Sequence, residues 1–197
     1  MNYLAHAYLS FSQPEILVGN IISDFIKGKK QYEYSLAIQK GIQLHRAIDI
    51  FTDSHLSTKE ARQYLKPAVG AYSGAFIDIA FDHFLATDIS IFKSETSLAN
   101  FAIDTYTILE GYEDCFPEGF KIRFPSMKHH NWLYNYQFKL GIENSFASLS
   151  RRAAYLSTSE ECFQLFENHY FAINNCYKAF FPELKEYVID LMGRKFS

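Results

Sequence analysis

Gly41-Ile-Gln-Leu-His-Arg-Ala-Ile-Asp-Ile-Phe-Thr-Asp53 reads as one helix with a polar seam. His45, Asp49 and Asp53 are four residues apart and therefore share one stripe. Ile42, Leu44, Ile48, Ile50 and Phe51 cover much of the remaining surface, as expected for a helix packed into a core. Imidazole nitrogen and carboxylate oxygen on one face are donor types that a divalent metal takes. Arg46 sits beside them, and a guanidinium can clamp a phosphate oxygen through two hydrogen bonds. For this helix alone, a surface salt bridge of Arg46 with Asp49 or Asp53 is the simpler explanation. The metal reading needs support from other helices.

Two other segments supply it. Between Ile16 and Ile26 nearly every residue is apolar, yet Asn20 and Asp24 share a face there. A carboxylate on a buried helix is costly unless it is paired or binds a metal. Phe76-Ile-Asp-Ile-Ala-Phe-Asp-His-Phe-Leu85 repeats the theme, with Asp78 and Asp82 four apart and His83 adjacent. His6 lies in an apolar N-terminal segment and gains weight as a further member of the set. Three apolar helices carrying His or Asp at helical spacing can converge on one point in a shared core. That coincidence favours a metal site over separate salt bridges.

The rest of the chain fits an all-α protein. Helical spacing dominates and strand alternation is scarce. Helices are expected at about Tyr3 to Leu9, Pro14 to Lys27 with Ser12 as cap, Ser35 to Asp53, Ser57 to Leu65, Gly74 to Ala86 and Ser97 to Gly111. Asp114 to Pro125, carrying Pro117, Gly119 and Pro125, reads as an extended loop and a candidate lid. Further helices are expected at about Lys128 to Tyr136, Ile142 to Leu149, Ser159 to Phe180 and Pro182 to Met192.

Composition limits the function classes. With 197 residues, 48% of them hydrophobic, the chain is expected to fold as a single domain over 1–197. A net charge of −3 argues against nucleic acid as the main ligand. Cys115, Cys162 and Cys176 are an odd set with no CxxC pair, so neither a disulfide framework nor a thiolate zinc site is expected. No run of about 18 apolar residues occurs, so no membrane span is expected. The N-terminus lacks signal-peptide features, and a cytoplasmic setting fits best.

Several blocks together resemble the acyl carrier protein phosphodiesterase family. They are Met1-Asn-Tyr-Leu-Ala-His6, Gly19-Asn-Ile-Ile-Ser-Asp-Phe25, Gly41 to Asp49 with Thr52-Asp53, and Asp82-His-Phe-Leu85. Trp132-Leu with Tyr136, and Ser150-Arg-Arg152, add looser similarity. The resemblance implies a single-domain, HD-like helical bundle in which the usual His-Asp order appears reversed as Asp82-His83. It implies removal of the phosphopantetheine arm from holo acyl carrier protein, with a divalent metal, manganese by preference. Carried over residue by residue, the implied site is Asp24, His45, Asp49, Asp82 and His83, with His6 in support. Asp24, His45, Asp49 and Asp82 are the metal-ligand candidates. Arg46 and Arg152 are expected on the substrate phosphate, and His83 or His6 as proton donor to the leaving serine.

A second reading keeps the metal and changes the substrate to a nucleotide or other small phosphoester. A di-metal carboxylate bundle is disfavoured, because that class uses Glu-x-x-His motifs and none occurs here. A non-catalytic carrier-binding protein is disfavoured by the intact His and Asp set. Because carrier proteins are acidic, Lys27, Lys29, Lys30, Lys121, Arg123 and Lys128 are candidates for a docking face.

Overall fold

The computed structural model describes residues 1–152 and 159–195. Among these, the chain forms eleven α-helices and no strand, so the all-α expectation holds. In order they are α1 (Tyr3–Tyr8), α2 (Pro14–Ile22), α3 (Leu36–Ser54), α4 (Leu56–Val69), α5 (Ser73–Ala86) and α6 (Glu95–Glu110). There follow α7 (Glu118–His129), α8 (Trp132–Asn135), α9 (Lys139–Arg152), α10 (Ser159–Asn168) and α11 (Tyr170–Lys195). The buried apolar side chains make one cluster that reaches from Met1 to Val188. No helix among the described residues is long and apolar enough to cross a membrane.

The pairing of α2 and α3 governs the site. An added Cβ at Gly19 would lie 2.1 Å from the Ile38 carbonyl oxygen, and one at Gly41 would lie 2.2 Å from that of Ile16. Only glycine allows backbones this close. Gly19 precedes Asn20, and Gly41 is one turn before His45. The closest approach of the two helices therefore lies directly under the polar residues they share.

Several local expectations change. Proline does open α2, but Gln13 is its N-cap and Ser12 makes no cap bond. Ser12 instead has a positive φ of 56°, in the bend after α1. The helix ends at Ile22, and Ser23–Phe25 tightens into a 3₁₀ turn that carries Asp24 to the surface. The expected loop at Asp114 to Pro125 is largely α7, with Pro125 inside the helix. An interior proline costs about 3 kcal/mol. Burying Phe120, Phe124 and Met127 contributes about 1.5–3 kcal/mol for each side chain, which outweighs the break. Their rings pack on Phe116 and Phe25, with Phe116–Phe120 centroids 4.7 Å apart and Phe25–Phe120 5.5 Å.

The helix expected over Lys128 to Tyr136 is broken at Asn131, whose φ is 42°. Conversely, α11 continues through Pro182, where a new helix was expected to begin.

Candidate metal centre

Helix α1 delivers His6, and its position is fixed from α5. The Asp82 carboxylate accepts the backbone N–H groups of Asn2 (3.1 Å), Leu4 (2.7 Å) and Ala5 (3.3 Å). These are donors that a helix start otherwise leaves unpaired. Asp82 is fully buried. Burial pushes its carboxyl up to about 7, against the opposing pull of the Met1 amino group and these donors.

His6 meets His45 of α3 in a parallel stack, with centroids 4.0 Å apart and planes 16° apart. Asn20, fully buried on α2, orients both rings. Its side-chain nitrogen donates to the His6 carbonyl (2.8 Å) and to Ser10 Oγ (3.0 Å). The remaining amide oxygen must accept, and His6 Nδ1 donates to it at 2.7 Å. The Asn20 backbone carbonyl accepts from His45 Nδ1, also at 2.7 Å. Both imidazoles therefore carry their proton on Nδ1 and present Nε2 to the same space.

That space is ringed by carboxylates. Asp49 Oδ1 is 3.4 Å from His6 Nε2, and Asp49 Oδ2 is 3.1 Å from His45 Nε2. Asp24 Oδ1 is 3.1 Å from His45 Nε2, on an exposed side chain at the rim. His6 Nε2 is buried without a hydrogen-bond partner. A cavity of about 210 Å³ lies over the cluster, with Tyr3, Asp78 and Asp53 also in its walls.

The cluster gathers negative charge around the imidazoles. Burial pulls the His45 imidazole down, but hydrogen bonds to Asp24 and Asp49 and their charges outweigh it and raise the group to about 9. Burial, then the neighbouring His45 charge, push His6 down to about 4. Burial raises Asp49, but the hydrogen bond from His45 and the nearness of both imidazoles hold it far below the usual carboxylate range. The hydrogen bond from His45 is the main influence lowering Asp24. Without a metal, the His45 proton is the positive charge between the two carboxylates.

A divalent ion fits that role. Neighbouring donors around an ion at about 2.1 Å sit about 3.0–3.4 Å apart. Asp49 has this spacing to each imidazole, through one oxygen to His6 and the other to His45, and one donor atom from each of the three residues lies within 4.8 Å of the others. Histidines that give Nδ1–H to oxygen acceptors and offer Nε2 to the ion are the usual metal-binding arrangement.

The other sequence candidates lie elsewhere. Asp82 does not line the cavity; it anchors α1, and both of its oxygens are engaged. His83 is buried under aromatic side chains on the next face of α5. Its Nδ1 donates to the Tyr136 carbonyl (2.7 Å), and its Nε2 accepts from the Tyr170 hydroxyl (2.8 Å). Burial lowers its pKa, so it is neutral with both nitrogens engaged. The role of proton donor expected for it has no support in this geometry. Adjacent helix residues diverge by about 100°, which sends Asp82 and His83 to different partners. Arg46 turns away from the cavity and donates to Gln31 Oε1 at 2.8 Å. Asp53 pairs with Arg62. The Arg152 side chain lies outside the described residues. Asn20 was visible only as a polar residue on an apolar helix, and its role in orienting both rings follows from the close packing of α2 on α3.

An all-α protein with two buried histidines and an aspartate converging under a surface cavity defines a candidate helical metal centre. Comparison with known proteins supplies the family. The family model described as acyl carrier protein phosphodiesterase matches residues 1–184, and the chain belongs to that family. A relative named acyl carrier protein phosphodiesterase from Photorhabdus laumondii subsp. laumondii is 29% identical over 94% of each chain. One of the same name from Pectobacterium atrosepticum is 30% identical over 94% of this chain and 96% of its own. Another from Yersinia enterocolitica is 28% identical over 96% of this chain and 98% of its own. No solved structure matches this chain.

Proposed function

We propose that the chain hydrolyses the phosphodiester joining phosphopantetheine to a serine of holo acyl carrier protein, as one catalytic domain working in the cytoplasm. Water adds to phosphorus, the bond from phosphorus to the serine oxygen breaks, and a proton goes to that oxygen. The products are apo carrier and phosphopantetheine. Family membership across residues 1–184 supports the substrate. The observation that carries the chemistry is the pair of Nδ1-protonated histidines aiming Nε2 at Asp49.

His6, His45 and Asp49 would hold a divalent ion, manganese by preference. Bound there, such an ion would supply Lewis-acid charge to the phosphoryl oxygens and lower the pKa of water. Asp24, exposed at the rim, accepts a hydrogen bond from this water and relays its proton toward the serine oxygen. Asn20 holds both rings in the required tautomer. The HD-like assignment rests on the family resemblance and the all-α build, with the metal borne by His45 and Asp49 rather than by the reversed Asp82-His83 pair.

Lys121 and Lys128 pair with Glu118 and Glu110. The exposed Lys27, Lys29 and Lys30, just after Asp24, are therefore the stronger docking face for an acidic carrier. The first test is to incubate metal-stripped protein with holo carrier, with and without manganese, and weigh the carrier. Loss of the phosphopantetheine mass only with metal is expected. An unchanged carrier with manganese bound would redirect the search to a small phosphoester.

A further inference from the structure

A second cavity, of about 1010 Å³, adjoins the metal centre. Tyr3, Asp24 and Asp78 line both. The larger cavity runs from there between α5, α7, α8 and α9. A phosphate alone needs only the smaller space. The larger one is at the upper end of the roughly 300–1,000 Å³ range of sites that enclose whole small-molecule ligands.

We infer that this cavity seats the pantetheine arm of the substrate, with Arg123 holding its phosphoryl end. The inference rests on the phosphodiesterase reading above. Arg123 of α7 is half-buried and lines the larger cavity. Its guanidinium donates to the Tyr3 hydroxyl (3.3 Å) and lies over the Phe25 ring, 5.3 Å from the centroid. Neither contact neutralises it, so a full positive charge faces the cavity. A guanidinium in that position suits a phosphate. Gly119, one turn earlier on α7, gives Phe25 its place: an added Cβ would lie 2.7 Å from the Phe25 ring.

The walls match the remainder of the arm. Pantetheine carries two amides, and enclosing an amide without hydrogen bonds costs about 1–3 kcal/mol. The Asn144 amide can donate and accept, Asn135 keeps its amide oxygen as an acceptor, and Ser145, whose hydroxyl donates to the Gly141 carbonyl, can accept. Ile79 and Leu149 provide apolar surface for the dimethyl carbon and the methylene stem.

The test fills the cavity from opposite walls. Ala75 on α5 and Asn144 on α9 both line it and are both exposed, so a large side chain at either leaves the core intact. For Ala75→Trp and Asn144→Trp, kcat/KM on holo carrier is expected to fall at least tenfold. Manganese affinity, thermal midpoint and binding of apo carrier should stay close to wild type. Arg123→Gln should weaken binding of free phosphopantetheine at least tenfold. Unchanged kcat/KM in both tryptophan variants would overturn the inference while leaving the phosphodiesterase reading intact. An equal loss of apo-carrier binding would overturn it differently, by showing that the carrier's own surface occupies the cavity. If wild type fails to cleave holo carrier, the inference falls with the reading it rests on.

Discussion

Helices α3 and α5 look alike as sequence and behave differently as structure. Each is largely apolar, and each carries aspartate and histidine at helical spacing. On α5, the protein itself satisfies the polar atoms: Asp82 takes three backbone donors, and His83 has a partner on each nitrogen. On α3, His45 has its Nδ1 satisfied by Asn20, but its Nε2 faces two carboxylates, and the neighbouring His6 Nε2 has no hydrogen-bond partner. Buried polar groups in folded proteins are normally paired. A pair with all its atoms engaged holds the fold together, while a group left with a lone pair facing collected negative charge is placed for something outside the chain.

That contrast is open to attack by mutation. The largest expected effect is on α3: His45→Ala or Asp49→Ala should lower turnover by on the order of 10³-fold or more, from loss of several kcal/mol of Lewis-acid stabilisation. Circular dichroism should show the helical fold retained, and equilibrium dialysis should show manganese binding lost. Asp82→Ala should do the reverse. It strips partners from two buried backbone donors and one part-buried one, and at about 1–3 kcal/mol for each buried group should cost several kcal/mol in denaturant unfolding. The molecules that remain folded should still bind manganese. Full stability in Asp82→Ala would erase the distinction.

Asn20→Ala tests the link between the two kinds of residue. Loss of an outer partner of a metal-bound histidine lowers affinity by about 10–100-fold, so a drop in that range is expected by titration. His83→Gln should change activity per folded molecule by less than about twofold, since His83 does not line the cavity.

A separate test is the curvature of the pH profile of the metal-free protein. His45, raised to about 9, contributes stability that is complete below its unfolded value near 6.5 and is lost as pH rises toward 9. His6, lowered to about 4, resists a proton that the unfolded chain accepts, so stability also falls as pH drops from 6.5 toward 4. Together these two groups give a maximum near pH 6.5 in urea midpoints. Saturating manganese should remove the alkaline flank and steepen the acid one, because the ion replaces the His45 proton and unfolding below pH 6.5 then charges both imidazoles; a metal-free profile already flat would contradict the assignment of charge within the cluster.

Much of this was legible in the residues. The 3.6-residue spacing placed His45 and Asp49 on one stripe, and apolar surroundings marked α2, α3 and α5 as core helices. Spacing reports which face a residue occupies but not which neighbours are waiting there. Asp82 and Asp49 differ in that respect alone. The first meets the start of α1, and the second meets two imidazole nitrogens. Asp24 was expected on a buried helix and sits instead on an exposed turn, because α2 tightens after Ile22. The tautomers of His6 and His45 depend on Asn20 and on contact between Gly19 and Gly41, which no local pattern encodes. Lid-like prolines in α7 misled because its aromatic packing comes from Phe25 and Phe116, outside the helix.

The anchoring of α1 also has a consequence in time. His6 is held where it is by a carboxylate that lies 78 positions downstream of Leu4. On a ribosome, a nascent chain ending before α5 already holds His45, Asp49 and the Asn20 that grips His6, but lacks the carboxylate that fixes the start of α1. The cluster therefore reaches its final geometry only after α5 has emerged and docked.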